Sequence, residues 1–200
     1  MAVTTQSRPN LGSGSIKFID GIPFEGLGSG GFDDNDLLIV GDDDGNIMEG
    51  GDGHDELEGE DGNDILKGGA GNDTLEGDEG NDDLDGQTGT EKLFGGNGDD
   101  ILRVGDGYDR LTGGSGKDTF GFYGAGHFEI SDFTVGDDRL FFDSEILGIH
   151  SFDELAPYIT NIIDNGDSGF TAEFVGGAAT IELVGVNVNT ITLDMIVFHL

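Results

Sequence analysis

The chain has no cysteine and no tryptophan, and only 3 prolines and 8 basic residues occur among its 200 residues. Without cysteine it can form neither a disulfide framework nor a cysteine-based zinc site. With so few cations it cannot neutralise the phosphates of a nucleic acid or bind an anionic membrane surface. The shortage of proline also excludes a collagen-like chain, although 39 residues are glycine.

Long apolar runs are missing as well. No stretch approaches the length of a membrane-spanning helix, and the start MAVTTQSRPNLGSGS has no apolar core of the kind found in secretory signal peptides. We therefore expect no membrane span and no N-terminal signal. The 4 histidines are scattered without an HExxH spacing, and no GxSxG motif occurs, so the sequence predicts no catalytic site and no enzyme activity.

Acidic residues, in contrast, are present in large excess. The 42 acidic and 8 basic residues give a formal net charge of −34. High charge with much glycine is typical of disorder, yet 34% of the residues are hydrophobic and 14 are phenylalanine, too many for a solvated tail. A folded chain with this charge needs a bound cation to reduce its self-repulsion.

The charge is concentrated in a periodic segment, since residues 31–121 hold 27 of the 42 acidic residues. From Gly50 the chain divides into units of nine, such as GGDGHDELE, GEDGNDILK and GGAGNDTLE. Two weaker copies begin at Gly31 and Gly41, with Val40 as an inserted residue between them. We therefore divide the chain into a partly flexible lead-in (1–30), a repeat region (31–121) and a C-terminal region (122–200).

Position 8 of the unit is always apolar. One buried residue in nine is too sparse for an isolated helix or a sandwich strand, but it suits a coil whose inward residues stack on those of the next coil. Three strand residues and six turn residues make half a coil, so the ten units predict five coils of eighteen residues, about 24 Å long. The predicted inward residues are Leu38, Met48, Leu57, Leu66, Leu75, Leu84, Leu93, Leu102, Leu111 and Phe120.

Position 6 is acidic or amide, and positions 1 and 4 are mostly glycine. Glycine permits close backbone approach, so carbonyl groups in the turns can converge. Carboxylates stacked one coil apart would repel each other. Ca²⁺ between them removes the repulsion and accepts six or more oxygen ligands, whereas Mg²⁺ fits less well because it tends to keep its waters. The position-6 residues are Asp36, Asn46, Asp55, Asp64, Asp73, Asp82, Glu91, Asp100, Asp109 and Asp118.

GGDGHDELE, GGAGNDTLE and GGSGKDTFG resemble the GGxGxDxUx nonapeptide of the RTX (repeats-in-toxin) calcium-binding proteins. The resemblance covers about residues 31–200, because ISDFTVGDDRLFF, LGIHSFDELA and TLDMIVF are similar to closing segments of that family. It implies an all-β fold, a right-handed parallel β-roll with Ca²⁺ between successive turns. It also implies a C-terminal secretion signal near residues 186–200, used by a type I export system.

The predicted calcium ligands follow from the same register, and about seven ions are expected. Asn46 carries no charge and predicts a weaker site, while the longer Glu91 is expected to shift or abolish the sites it shares. Phe128 stands where the closing segment commonly has its first aspartate, which leaves Asp132 as the ligand there. The firmest stacked pairs are Asp55–Asp73, Asp64–Asp82, Asp82–Asp100 and Asp100–Asp118. Beside these and the other position-6 residues, the predicted ligand set contains Gly50, Gly53, Gly59, Gly62, Gly68, Gly71, Gly77, Gly80, Gly95, Gly98, Gly107, Gly113 and Gly116.

After Gly121 the period ends and a mostly antiparallel β cap with one short helix is expected. Alternating residues on either side of Gly176-Gly177 predict a β-hairpin. Ser151 to Glu154 form a capping-box pattern, followed by Leu155, Tyr158, Ile159 and Ile162 at helical spacing, with Pro157 expected to kink or delay that helix.

The leading functional hypothesis is a non-enzymatic calcium-binding module of an extracellular bacterial protein, which folds on binding Ca²⁺ after export. Two alternatives stay open. The chain could be a Ca²⁺-dependent module that binds polysaccharide or another cell-surface component, like the modules of mannuronan epimerases. It could instead be the C-terminal part of an RTX protease, lipase or cytolysin whose catalytic residues lie upstream.

Overall fold

The computed structural model describes residues 17–20, 36–174 and 177–200. Most of the predicted lead-in, the beginning of the first weak repeat at Gly31, and Gly176 of the predicted hairpin turn lie outside these residues.

The repeat region forms a parallel β-solenoid, as the sequence predicts. The chain passes alternately through two parallel sheets, and each strand pairs with the strand one coil away. A short strand, β1 (Lys17–Asp20), pairs antiparallel with the first strand of sheet I. Sheet I contains β2 (Leu37–Val40), β4 (Glu56–Glu58), β6 (Thr74–Glu79), β8 (Lys92–Asn97), β10 (Gly107–Ser115), β12 (Gly126–Ile130) and β16 (Ala179–Val184). Sheet II contains β3 (Ile47–Asp52), β5 (Ile65–Gly71), β7 (Asp83–Gly89), β9 (Ile101–Val104), β11 (Thr119–Phe122), β13 (Arg139–Phe142) and β17 (Ile196–Val197).

The core of the solenoid is made of two columns of position-8 side chains, one on each sheet. Leu66 pairs with Leu84 and Leu84 with Leu102, each eighteen residues further along the chain. These leucines are 0% exposed. Each fully buried leucine contributes about 1.5–3 kcal/mol of transfer free energy, which explains how one apolar residue in nine can hold a coil.

The register of the first unit differs from the prediction. Ile39, not Leu38, pairs with Leu57 and lies in the core at 1% exposure. The unit therefore runs from residue 32 to residue 40, and no inserted residue at Val40 is needed. The prediction was wrong because Leu37, Leu38 and Ile39 are all apolar, so the apolar pattern alone could not fix the register.

Parallel pairing continues beyond the last nonapeptide. β12 lies on β10 and β13 on β11, and β16 and β17 add a further layer. The coils lengthen here, because Leu111 pairs with Ile130 and Phe120 with Leu140, nineteen and twenty residues apart. The end of the sequence repeat at Gly121 is thus not the end of the solenoid.

The C-terminal region also contains the predicted antiparallel hairpin. β15 (Gly169–Phe174) pairs with β16 and with β14 (Ile159–Asp164). Two four-residue helices are present, α1 (Ser144–Leu147) and α2 (Phe152–Leu155). The side chain of Ser151 caps α2, but Pro157 lies in a 3-10 turn (Ala156–Tyr158), and Ile159 and Ile162 belong to β14 rather than to a helix. No helix of the described residues is long and apolar enough to cross a membrane.

Candidate calcium-binding ladders

Position-6 side chains stack in two rows, one at the entrance to each sheet. We call them ladder I, which leads into sheet I, and ladder II, which leads into sheet II. Every member of both ladders is buried. Ladder I comprises Asp55, Asp73, Glu91 and Asp109, and ladder II comprises Asn46, Asp64, Asp82, Asp100, Asp118 and Asp138.

One carboxylate oxygen of each ladder aspartate accepts a hydrogen bond from a backbone N–H of the preceding coil. The backbone N–H of Asp64 donates to Oδ1 of Asp82 at 2.8 Å, and the N–H of Asp82 donates to Oδ1 of Asp100 at 2.9 Å. The same bond joins Asp55 to Asp73 at 2.9 Å and Asp100 to Asp118 at 3.1 Å. All four stacked pairs expected from the sequence are therefore found one coil apart.

Among the described residues, the second oxygen of most of these aspartates has no hydrogen-bond partner. Buried polar atoms are nearly always hydrogen-bonded, and an unpaired buried carboxylate oxygen is costly. A row of such atoms, repeated at each coil, indicates a binding site for a positively charged ligand rather than a local defect. Oxygens without a partner are Oδ2 of Asp55, Asp64, Asp73, Asp82, Asp100 and Asp109, and both carboxylate oxygens of Glu91.

The electrostatics of the ladders support this interpretation. Burial is the main reason that the pKa of Asp82 rises to about 7 and that of Asp100 to about 6, with neighbouring carboxylates adding to the shift. The pKa of Asp55 rises to about 6 and that of Asp118 to about 7 for the same reason. Ionised carboxylates are therefore unfavourable in these rows until a cation compensates them.

Glycine at position 1 makes room for this oxygen. A Cβ atom on Gly59 would lie 2.4 Å from Oδ2 of Asp64 and 2.7 Å from the carbonyl oxygen of Gly77 on the next coil. A free carboxylate oxygen and a backbone carbonyl thus border the same point. The predicted position-1 glycines with this arrangement are Gly50, Gly59, Gly68, Gly77 and Gly95. A Cβ on Gly113 would likewise meet Oδ2 of Asp118.

Glycine at position 4 is required for a different reason. A Cβ on Gly71, at φ +147°, would lie far inside contact distance of the Gly53 carbonyl oxygen one coil below. Successive turns are therefore in direct backbone contact, which holds the ladder spacing constant. The predicted position-4 glycines, all with positive φ, are Gly53, Gly62, Gly71, Gly80, Gly98, Gly107 and Gly116.

A second row of side chains at position 5 satisfies the outer turn amides. The N–H of Asn81 donates to Oδ1 of Asn63 at 2.9 Å, and the N–H of Asp99 donates to Oδ1 of Asn81 at 2.8 Å. On the other side, the N–H of Asn72 donates to Nδ1 of His54 at 2.8 Å. The position-5 side chains thus bind amides of the following coil, and position 6 binds amides of the preceding coil.

The donor set fits Ca²⁺. Within residues 17–20, 36–174 and 177–200, no three acidic or histidine side chains converge on one point. A cation in the ladders would take carbonyl oxygens together with one or two carboxylates, as beside Gly59, where Oδ2 of Asp64 and the Gly77 carbonyl oxygen border one point. Such all-oxygen sets suit Ca²⁺, which accepts six to eight ligands in flexible geometry.

Two of the predicted ligands differ from the rest. Asp36 lies one residue out of register, at position 5, where its Oδ1 accepts the N–H of His54 at 2.7 Å. The amide of Asn46 is engaged within its own turn, since its oxygen accepts the N–H of Asp42 and its nitrogen donates to the carbonyl of Asp44. Asp36 therefore does not belong to ladder I, and Asn46 ends ladder II with an amide already hydrogen-bonded.

The closing segment also differs from the prediction. Both carboxylate oxygens of Asp132 accept hydrogen bonds from backbone amides, one from the N–H of Gly113 at 2.9 Å and one from the N–H of Gly114 at 2.8 Å. Ladder II continues instead through Asp138, which accepts the N–H of Asp118 at 2.9 Å. The signal for Asp138 was present, because Gly136, Asp138 and Leu140 keep the spacing of positions 4, 6 and 8.

Comparison with known proteins agrees with this repeat architecture. The family model of the RTX calcium-binding nonapeptide repeat matches four times, over residues 30–66, 40–75, 58–90 and 94–121. No curated protein matches the chain.

Two solved structures are similar to the chain. The extracellular lipase LipA from Serratia marcescens is 18% identical over 79% of this chain and 39% of the lipase, with a TM-score of 0.36. The AlgE6R3 subunit of the mannuronan C5-epimerase from Azotobacter vinelandii is 22% identical over 82% of this chain and 77% of the subunit, with a TM-score of 0.35. The chain thus spans well under half of the lipase. The four matches identify RTX-type calcium-binding nonapeptide repeats within residues 30–121, in agreement with the parallel solenoid and its carboxylate ladders.

Proposed function

We propose that this chain is a calcium-responsive folding module of an exported protein, which stays extended at low Ca²⁺ and folds at the millimolar Ca²⁺ of the extracellular medium. The observation that carries the proposal is the row of buried carboxylate oxygens without partners along both ladders. A ligand that binds only the folded state stabilises it by RT ln(1 + [L]/Kd) at each site. Several sites acting together therefore make folding steeply dependent on Ca²⁺.

The position of the C-terminal segment supports folding after export. Val186 and Met195 are buried, and β17 pairs with β13. A secretion signal in residues 186–200 would be fully extended only while the chain is unfolded, because Val186, Met195 and β17 hold this segment against the cap in the folded state. Low cytosolic Ca²⁺ would therefore keep the signal extended for a type I exporter, and extracellular Ca²⁺ would fix it in the fold.

A calcium titration followed by far-UV circular dichroism tests the proposal, with Mg²⁺ as the control cation. We expect little β signal in EGTA and a steep gain of β signal with Ca²⁺ but not with equal Mg²⁺. Isothermal titration calorimetry gives the number of ions, for which we expect about seven. A β-rich spectrum in EGTA that Ca²⁺ leaves unchanged would contradict the proposal.

A second candidate function, binding of an acidic polysaccharide, is favoured by one surface. Lys92 and Arg110 are cross-strand neighbours on the outer face of sheet I, although the chain has only 8 basic residues. Phe94 and Tyr108 beside them are 39% and 49% exposed. We call these four residues the basic–aromatic patch.

The patch has the chemistry of a sugar-binding surface. Arg110 is 3.6 Å from Glu129 in an exposed pair, which is worth little, and Lys92 has no ion pair among the described residues. The ring of Tyr108 stacks on His127 at 4.5 Å and is thus held in place. Salt limits the repulsion from the rest of the chain to about 10 Å at 0.1 M, so a polyuronate could bind locally through its carboxylates and stack on the rings.

Affinity electrophoresis in a gel containing polyuronate, with and without EGTA, tests this function. We expect the double substitution Lys92→Gln/Arg110→Gln to abolish the calcium-dependent retardation. The matched control Lys117→Gln/Arg139→Gln removes the same charge from the sheet II side and should leave the retardation unchanged. Equal behaviour of the two double variants would exclude the patch as the binding surface.

A further inference from the structure

Glu91 departs from the other acidic ladder members. It is 0% exposed, and no N–H group of the described residues donates to either of its carboxylate oxygens. Asp73 and Asp82, by contrast, each use Oδ1 to accept a backbone N–H from the coil below. Glu91 therefore offers two free oxygens where each aspartate offers one.

The extra methylene group of Glu91 explains the difference. A Cβ on Gly86 would meet Cγ of Glu91 at 2.7 Å, whereas a Cβ on Gly77 would meet Oδ2 of Asp82 at 2.4 Å. The methylene group thus occupies the space that the carboxylate takes in an aspartate unit. The carboxylate of Glu91 therefore lies nearer to the position-4 glycine of the same turn, where Oε1 would be 2.6 Å from a Cβ on Gly89.

The displaced carboxylate lies against the next member of ladder I. The carboxyl groups of Glu91 and Asp109 interact directly, and the N–H of Glu91 donates to Oδ1 of Asp109 at 3.0 Å. No N–H group of the described residues donates to Oδ2 of Asp109. When both groups are ionised neither can donate a hydrogen bond, so two interacting carboxylates with three oxygens that accept no N–H lie one coil apart without compensation.

We propose that Glu91 and Asp109 form a calcium site distinct from the aspartate sites, in which Glu91 binds the ion through both oxygens and raises its selectivity for Ca²⁺ over Mg²⁺. The inference rests on the proposed calcium-binding function. A bidentate glutamate is the device by which EF-hand loops complete a Ca²⁺ shell, while Mg²⁺ demands a small octahedral shell and keeps its waters. Glu91 thus strengthens ladder I at this coil instead of interrupting it.

Calcium titration calorimetry on the full chain, with and without competing Mg²⁺, tests the inference. Glu91→Gln should remove one ion or weaken the tightest class of site by about 10- to 100-fold, the range seen when groups supporting a metal site are removed. Asp82→Asn is the matched control in ladder II. It should weaken binding without changing the ratio of Ca²⁺ to Mg²⁺ affinity in the tightest class.

Glu91→Asp keeps the charge, restores the common repeat residue and is expected to fold. We expect it to bind Ca²⁺ but to lose selectivity, so that Mg²⁺ competes more effectively than in the parent chain. Infrared difference spectra should show a calcium-induced bidentate carboxylate band in the parent chain that is absent from both Glu91 variants. If the parent chain binds Ca²⁺ but this band and the Mg²⁺ competition are the same in all variants, the inference is overturned. If the parent chain binds no Ca²⁺, the proposed function itself fails.

Discussion

The repeat region and the C-terminal cap share one parallel solenoid but are held together differently. In the repeats, the core is two columns of position-8 side chains, mostly leucine, and each coil adds two buried acidic side chains, most of which lack a full set of partners among the described residues. In the cap, the core widens into a phenylalanine cluster. Phe122 lies 5.1 Å from Phe128 and 5.8 Å from Phe142, measured between ring centroids.

The change of stabilising force occurs where ladder I ends. Phe128 takes the position-6 place beside Asp109, so an aromatic side chain follows directly after the last carboxylate. Aromatic packing of this kind needs no metal. The comparison indicates that the same backbone geometry can be stabilised by cation binding or by apolar burial, and that only the first makes folding responsive to Ca²⁺.

Removal of calcium is expected to have the largest effect on the difference between the two regions. In EGTA, backbone amides of β3 to β11 should lose protection from hydrogen exchange, because the uncompensated carboxylates destabilise every coil together. Mass spectrometry of exchanged peptides measures this, with a Mg²⁺ sample as control. If the repeat amides are equally protected in Ca²⁺ and in EGTA, the stability of the repeat region does not depend on calcium, and the contrast with the cap is wrong.

Truncation of one core residue in each region sharpens the contrast. Leu84→Ala should cost about 2–5 kcal/mol of unfolding free energy and Phe142→Ala about 3–5 kcal/mol, since each leaves a cavity. Leu84→Ala should also raise the Ca²⁺ concentration at the folding midpoint, while Phe142→Ala should leave the number of bound ions unchanged. Urea unfolding at fixed Ca²⁺ and calorimetry together separate the two outcomes.

Much of the repeat region's structure could be predicted from the nine-residue period. The nine-residue period with Leu at position 8 and Asp at position 6 predicts the solenoid, the inward column and the stacked pairs. The prediction missed Asp138 because Phe133 and Thr134 replace the glycines of positions 1 and 2, although Gly136, Asp138 and Leu140 keep positions 4, 6 and 8. Nor could it show that Asp132 binds the amides of Gly113 and Gly114, since that contact depends on the longer final coils.

The helical spacing after Ser151 misled for a similar reason. Tyr158, Ile159 and Ile162 fit one face of a helix, but tertiary pairing with β15 overrides the local pattern and forms β14. Pro157 removes an N–H and ends the helical segment in a 3-10 turn. Local periodicity was reliable where it repeated many times and unreliable where it occurred once.

A smaller effect is expected from filling the space beside one carboxylate. In Gly77→Ala the new Cβ would lie 2.4 Å from Oδ2 of Asp82 and 2.6 Å from the Gly95 carbonyl oxygen. Gly77 has no positive φ, so overpacking alone should cost about 1–3 kcal/mol, and displacement of Asp82 should weaken Ca²⁺ binding. Gly148→Ala is the control. It has φ +67° and open space around it, so it should cost about 1 kcal/mol and leave calcium binding unchanged. A normal calcium isotherm for Gly77→Ala would show that Asp82 does not depend on this glycine.

The most gradual effect is that of pH, and its sign should reverse with calcium. Burial raises the pKa of Asp82 and Asp118 to about 7 in the calcium-free fold, above the ordinary value of 3.8 that applies when the chain unfolds. Their contribution to stability is therefore complete below pH 3.8 and is lost as pH rises through about 7.

The calcium-free chain, which is extended near pH 8, should accordingly gain β structure as the pH falls toward 5, and Asp82→Asn, which stays neutral, should reduce this dependence. With calcium bound, protons compete with the ion for the same oxygens, so acidification should lower stability instead. Far-UV circular dichroism across pH 5–8 in EGTA and urea midpoints over the same range with calcium compare the two signs. The same sign under both conditions would mean that the ladder carboxylates do not hold the ion.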